Sequence, residues 1–282
     1  MNKNLCKYKI ILNYLKRIIV RILNKFNFNL NYPGIRFETI ALKKELKENK
    51  KTSLPLIVCL GDSNTFGWNY NYKISYPQIL ERKLEIFNKN IKVINCGVGG
   101  DTIIDGINRL ESDVLFFKPK VVIISFGFND AMLLKVDKKC INDNKNKINK
   151  LYYKINKNFY YTRINNNNYE FYLNKLINII KNNCIFDIIL ISLYKINKIK
   201  IKNLYLDNVN LVNFQNELYE KYNNIIEIVA KNNNVMFCNL WDKIQNKKIK
   251  NILQDDGFHL NNKGFELLAD EIYKIIIKKN LF

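Results

Sequence analysis

Short apolar runs that alternate with helix-length stretches constrain this chain more than any other feature. The runs occupy residues 56–60 (LIVCL), 92–96 (KVINC), 121–126 (VVIISF), 186–193 (FDIILISL) and 235–239 (VMFCN). They are continuous and rich in Val and Ile, as strands buried on both faces are. Helical spacing of apolar residues recurs around 76–87, 102–117, 169–182 and 214–232, with a last helix near 263–279. Pro119 stands just before the third run, a natural stop for the preceding helix. Such alternation predicts right-handed βαβ units, hence a parallel sheet with helices on both sides. In an open sheet of this kind the binding crevice lies beyond the carboxyl ends of the strands. The residues that follow strands are therefore the ones to search for chemistry.

The 282 residues suffice for one large domain or two small ones. Residues 1–50 read as a basic N-terminal extension ending in the charged run LKKELKENKK, and residues 51–282 as the α/β domain. Within the extension, residues 8–26 fit an amphipathic helix. Ile11, Leu15, Ile18, Ile19, Ile22 and Phe26 share one side, and Lys16, Arg17 and Arg21 lie mainly on another. Three roles are open to it: lying on an anionic membrane surface, packing against the domain, or binding a partner. Charges interrupt its apolar part and no small-residue cleavage site follows, so it is a poor signal peptide. Residues 131–168 form a long insertion rich in Asn, Lys and Tyr, either a lid over the crevice or a tolerated surface excursion.

The formal charge of +21 raises the question of a polyanion partner. The lysines are scattered among asparagines and isoleucines, as in NDNKNKINKLYYKINKN, rather than gathered on one element. That joint bias reads as the product of an AT-rich genome and argues against nucleic acid as the partner. The six cysteines form no C-x-x-C pair, and most lie in or beside apolar runs, the pattern of reduced thiols in a cytoplasmic protein. A single His and no ligand spacing argue against a zinc site.

Three strands end in unusual punctuation. The first runs into Gly61-Asp62-Ser63, the second into NCGVGGDT (95–102), the third into FGFND (126–130). Near the C-terminus, QDDGFHLNNKG carries His259, the sole histidine. Each piece alone has an ordinary structural reading. A Ser after a strand is usually a cap, Gly-Gly a turn, a lone His a satisfied structural group. Together they supply a reaction. A serine hydroxyl needs a base to take its proton, and imidazole is suited to that near neutrality. Asp256, three residues before His259, is placed to hold the ring in one tautomer, with Asp255 the nearby competitor. The tetrahedral intermediate of acyl transfer needs donors. Candidates are the amides of Ser63 and Gly100 and the side chain of Asn129, with Gly97 and Gly99 as alternatives to Gly100.

GDSNTFG, NCGVGGDT, GFND and DGFH resemble, in order and separation, the sequence blocks of the SGNH (GDSL-type) hydrolase superfamily. The resemblance covers roughly 56–280, without the insertion. It implies a flavodoxin-like three-layer α/β/α sandwich with about five parallel strands. It also implies Ser63 as nucleophile, Asp256 and His259 as acid and base, and Ser63, Gly100 and Asn129 as the oxyanion hole, with Gly127 accompanying Asn129. Neither metal nor organic cofactor is implied. Leu260 departs from the family, many of whose members have Pro there.

The leading expectation is a serine esterase acting through an acyl-enzyme on a small acyl ester, an O-acetylated glycan or a lysophospholipid. The alternatives are an O-acyltransferase using the same triad, or a binding protein for anionic ligands at the membrane surface whose hydrolase domain has decayed. Trp68, Tyr70 and the insertion are the expected walls of the substrate pocket. The expected location is the cytoplasm, with residues 8–26 able to reach the inner face of the membrane.

Overall fold

The computed structural model describes residues 55–68, 74–87, 91–136, 152–155, 157–197, 209–246 and 251–282. The expected helix over 8–26 and Tyr70 lie outside these residues. Five strands form one parallel sheet: β1 (Leu56–Gly61), β2 (Lys92–Gly97), β3 (Val121–Ser125), β7 (Asp187–Ile191) and β8 (Met236–Cys238). Their order is β2-β1-β3-β7-β8, the flavodoxin-like order expected of the family. In register, β1 pairs Gly61 with Gly97 of β2 on one side and with Ser125 of β3 on the other. The chain reverses direction across the sheet at β1, so the switch point lies between β1 and β3. Every residue of β1 and β3 is buried, which is why these runs show no polar alternation.

Helices α2 (Tyr76–Phe87) and α8 (Asn262–Lys278) pack together, as do α5 (Asn166–Asn182) and α6 (Val209–Asn232). Each of the long helices turns an apolar face to the sheet; α5 buries Tyr169, Leu173, Leu176, Ile177 and Ile180, at helical spacing. The stretch 102–117, expected as one helix, is α3 (Ile103–Asn108), α4 (Leu110–Asp113) and a 3₁₀ turn at Leu115–Phe117. The break falls at Arg109. Its guanidinium is buried beneath the strand ends, pairing with Asp101 at 2.8 Å and Asp113 at 2.9 Å. It also donates to the carbonyls of Cys96 and Gly61 at 2.7 and 2.9 Å.

The insertion contains structure that periodicity did not reveal. Strands β4 (Leu133–Val136), β5 (Tyr152–Ile155) and β6 (Asn158–Thr162) form a separate antiparallel sheet in the order β4-β6-β5. It has its own small core, in which Leu133 and Tyr160 meet Leu211 and Leu218 of α6. Gln215 of α6 bonds the amide of Leu133 and the carbonyl of Ala131, anchoring the start of the sheet. A short helix follows each of β1 and β8: α1 (Ser63–Phe66) and α7 (Leu240–Asn246). Among the described residues no helix is long and apolar enough to cross a membrane.

Candidate active site

β1 delivers Ser63 at the switch point. Asp62 caps the single turn of α1, its Oδ1 accepting from the amide of Asn64 at 2.9 Å. Gly67, with φ of 83°, ends that turn. The amide of Ser63 donates to no acceptor among the described residues, as befits the first residue of a helix. With one turn only, α1 offers these free amides rather than a sizeable macrodipole.

His259 arrives on the loop between Leu253 and Leu260, whose ends form an isolated antiparallel bridge. The amide of Gln254 donates to the carbonyl of His259 at 2.8 Å, and that of Gly257 to the carbonyl of Gln254 at 3.0 Å. Asn261 then caps α8. Across this loop the ring of His259 meets both partners that its sequence neighbourhood suggests. Nε2 lies 2.9 Å from Ser63 Oγ, and Nδ1 lies 2.6 Å from Asp256 Oδ2. Oδ1 of Asp256 accepts from the amides of Phe258 and His259, at 2.9 and 3.0 Å. Burial alone would raise the Asp256 pKa. The bonds from the His259 ring and those two amides outweigh it and hold the carboxyl below its ordinary range. Asp255, the competitor, is exposed, and it is Asp256 that bonds the ring.

Gly100 sits third in a tight turn closed by the Asp101 amide on the Val98 carbonyl at 3.2 Å, and its φ is 77°. That conformation favours glycine and fixes the direction of the Gly100 amide, which has no acceptor among the described residues. Gly97 answers to a different demand. A Cβ there would lie 2.1 Å from the backbone nitrogen of Phe66, so it serves the approach of α1 to β2. The Gly97 amide is spent on Asn95 Oδ1 at 3.0 Å, so of these two it is Gly100 whose amide is left for an oxyanion.

Asn129 is buried, and its Nδ2 donates to the carbonyl of Asp101 at 3.0 Å and to Asp62 Oδ2 at 3.3 Å. Both amide hydrogens are thereby engaged. An oxyanion would have to displace the longer bond, the one to Asp62. Burial pushes the Asp62 carboxyl up to about 7, partly opposed by the Asn64 amide. The Asp130 carboxyl is likewise pushed up to about 7 by burial, although it accepts from the amides of Ile103 and Gly127.

Trp68 is half-buried and lies outside the main core. Its indole stacks on His259, ring centroids 5.8 Å apart and planes at 27°. Phe258 meets the same imidazole edge-on. Gln254 ties the arrangement together by donating Nε2 to the carbonyls of Trp68 and Leu260, at 2.8 and 2.9 Å. Sequence reading also missed Tyr194. Its buried hydroxyl lies 2.6 Å from Asn64 Oδ1 and 2.9 Å from the Phe258 carbonyl. It thus joins the residue after Ser63 to the residue before His259. Tyr194 follows β7, and the expectation that strand ends carry the site was the one signal that pointed there.

A parallel α/β/α sheet with a Ser–His–Asp hydrogen-bonded chain at its carboxyl edge is the arrangement of a large class of hydrolase folds. This chain belongs to the GDSL-like lipase/acylhydrolase family, whose sequence model matches residues 59–267. It is 36% identical over 101 residues to an uncharacterized lipoprotein of Bacillus subtilis (strain 168), covering 34% of this chain and 41% of that one. It is 32% identical over 98 residues to an arylesterase of Vibrio mimicus, covering 35% of this chain and 48% of the relative. The chain thus spans less than half the length of either relative. Among solved structures, a lipase/acylhydrolase from Enterococcus faecalis superposes with a TM-score of 0.59 at 23% identity, over 80% of this chain and 97% of that one. At that identity the likeness speaks to the fold.

Proposed function

We propose that the protein is a serine ester hydrolase working through an acyl-enzyme. The single observation that carries this reading is the unbroken chain of bonds from Ser63 Oγ through both ring nitrogens of His259 to Asp256. Ser63 Oγ attacks the ester carbonyl while its proton passes to Nε2. The negative charge moves to the carbonyl oxygen, met by the amides of Ser63 and Gly100 and by Asn129. Collapse of this intermediate expels the alcohol, which takes the proton from Nε2 and leaves the acyl group on Ser63. Water repeats the sequence, giving its proton to His259, and release of the acid returns a proton to Ser63. Asp256 accepts from Nδ1 throughout, which keeps Nε2 free to receive the serine proton.

The substrate is an ester of a carboxylic acid, and the similarity to an arylesterase makes a short-chain aryl ester the first probe. Ser63→Ala is expected to abolish turnover of 4-nitrophenyl acetate while the circular dichroism spectrum stays native. A fluorophosphonate should label the protein at Ser63. Labelling elsewhere, or activity that survives Ser63→Ala, overturns the mechanism.

A further inference from the structure

The insertion ends at a cation that the reaction as described leaves unused. Arg163 follows β6 directly, and its Nη1 donates to the carbonyl of Gly100 at 2.8 Å. The small antiparallel sheet therefore delivers a guanidinium to the turn whose amide is proposed to meet the oxyanion. The next residue fastens the same corner, since the amide of Ile164 donates to the carbonyl of Asp130 at 3.0 Å. Arg163 is exposed, and no carboxylate among the described residues forms an ion pair with it. Of the acids beneath, Asp101 pairs with the buried Arg109. Asp130 feels the charge of Arg163, but its hydrogen bonds come from the amides of Ile103 and Gly127, so it takes none of the guanidinium donors. One of five guanidinium N–H groups is spent on Gly100, and the others are able to hold an anion in a forked geometry. Among the described residues of the insertion, Lys135, Lys154 and Lys157 carry the same sign and no Asp or Glu offsets them.

We propose that Arg163 is the specificity residue of the site and reads a negatively charged group, a carboxylate or a phosphate, carried by the ester. This rests on the esterase reading and narrows it to anionic esters. Two substrate pairs separate the sources of charge. 4-Nitrophenyl acetate against 4-nitrophenyl hemiglutarate places a carboxylate on the acyl side. A 1-acylglycerol against a 1-acylglycerol 3-phosphate places a phosphate on the alcohol side. In at least one pair the wild-type kcat/KM should favour the anionic ester. Arg163→Gln should shrink that ratio about 10- to 100-fold, the loss expected for charge-assisted hydrogen bonds. Arg163→Lys should keep part of it. No preference in either pair, or an equal fall on neutral and anionic esters in Arg163→Gln, overturns the proposal and leaves Arg163 as support for the Gly100 turn. Titration of glutarate and of glycerol 3-phosphate into Ser63→Ala, with and without Arg163→Gln, reads the subsite without turnover. Binding of either that needs Arg163 supports it, and binding of neither counts against it. Failure of the esterase reading is recognised separately, by loss of Ser63 labelling and of neutral-ester turnover.

Discussion

The Ser63 side and the His259 side of the site are held by different kinds of structure. Ser63, Gly100 and Asn129 stand on the ends of β1, β2 and β3, over strands whose residues are almost wholly buried. Beneath them Arg109 and the carboxyls of Asp62, Asp101 and Asp130 tie one strand end to the next. His259 and Asp256 stand on a loop that keeps its shape through backbone bonds across its own neck and through Gln254 and Tyr194. The acids record the contrast. Burial dominates at Asp62 and Asp130 and raises both carboxyls to about 7. On the loop, donors dominate at Asp256 and lower it. A carboxylate that must stay charged beside an imidazole is placed where amides and water reach it. Those that only brace the floor are placed where water does not.

The largest effect that tests this contrast should come from Asp256→Asn. The Asn oxygen is able to keep the bonds from the amides of Phe258 and His259, so the loop is expected to hold its shape. Its Nδ2 would face His259 Nδ1 and force that nitrogen to accept. The ring proton then sits on Nε2, where it blocks transfer from Ser63. Turnover of 4-nitrophenyl acetate should fall by about 10³–10⁴-fold at a nearly unchanged melting temperature. A fall below tenfold would remove Asp256 from the chemistry.

On the strand side, Asn129→Ala should lower kcat by about a hundredfold and change KM little, as loss of one oxyanion donor does. It also deletes the bonds to Asp62 and the Asp101 carbonyl. Thermal unfolding should be measured alongside. An intact kcat with a lowered melting temperature would reduce Asn129 to a brace between β2 and β3.

The same contrast decides what the sequence reveals. Strands buried on both faces write themselves as unbroken apolar runs, and all five runs became strands of the parallel sheet. Ser63, Asp256 and His259 were readable because chemistry limits the residue types and topology limits where they stand. The small sheet was not. Its strands are four or five residues long, rich in Tyr, Asn and Lys, and buried on one side only against α6. Such segments differ little from surface loop in composition. Arg109 was hidden for another reason. In INRLESD it looks like any solvated helix residue, and only the tertiary fold brings Gly61 and Cys96 to it. Gln254 acts through the carbonyls of Trp68 and Leu260, and Tyr194 in part through that of Phe258, and a backbone carbonyl leaves no mark on the sequence of its residue.

The smallest expected effect is at the joint between the two sides. The Tyr194 hydroxyl has one proton and two acceptors, Asn64 Oδ1 and the Phe258 carbonyl, so it links α1 to the histidine loop without belonging to either. Tyr194→Phe keeps the ring against Phe128 and removes only that link. A lost buried hydrogen bond of this kind costs about 1–3 kcal/mol of stability. If the link also sets the distance from Ser63 to His259, kcat should fall about tenfold with KM unchanged, since misplacing a base by a fraction of an ångström is felt in the chemical step. The single histidine makes this measurable, because any imidazole proton resonance in the molecule belongs to residue 259. The Nδ1 proton signal should persist in Tyr194→Phe, its partner Asp256 being on the same loop, but exchange faster with water. A lowered melting temperature with kcat and that exchange rate both unchanged would show that Tyr194 braces the fold and that the loop finds Ser63 by itself.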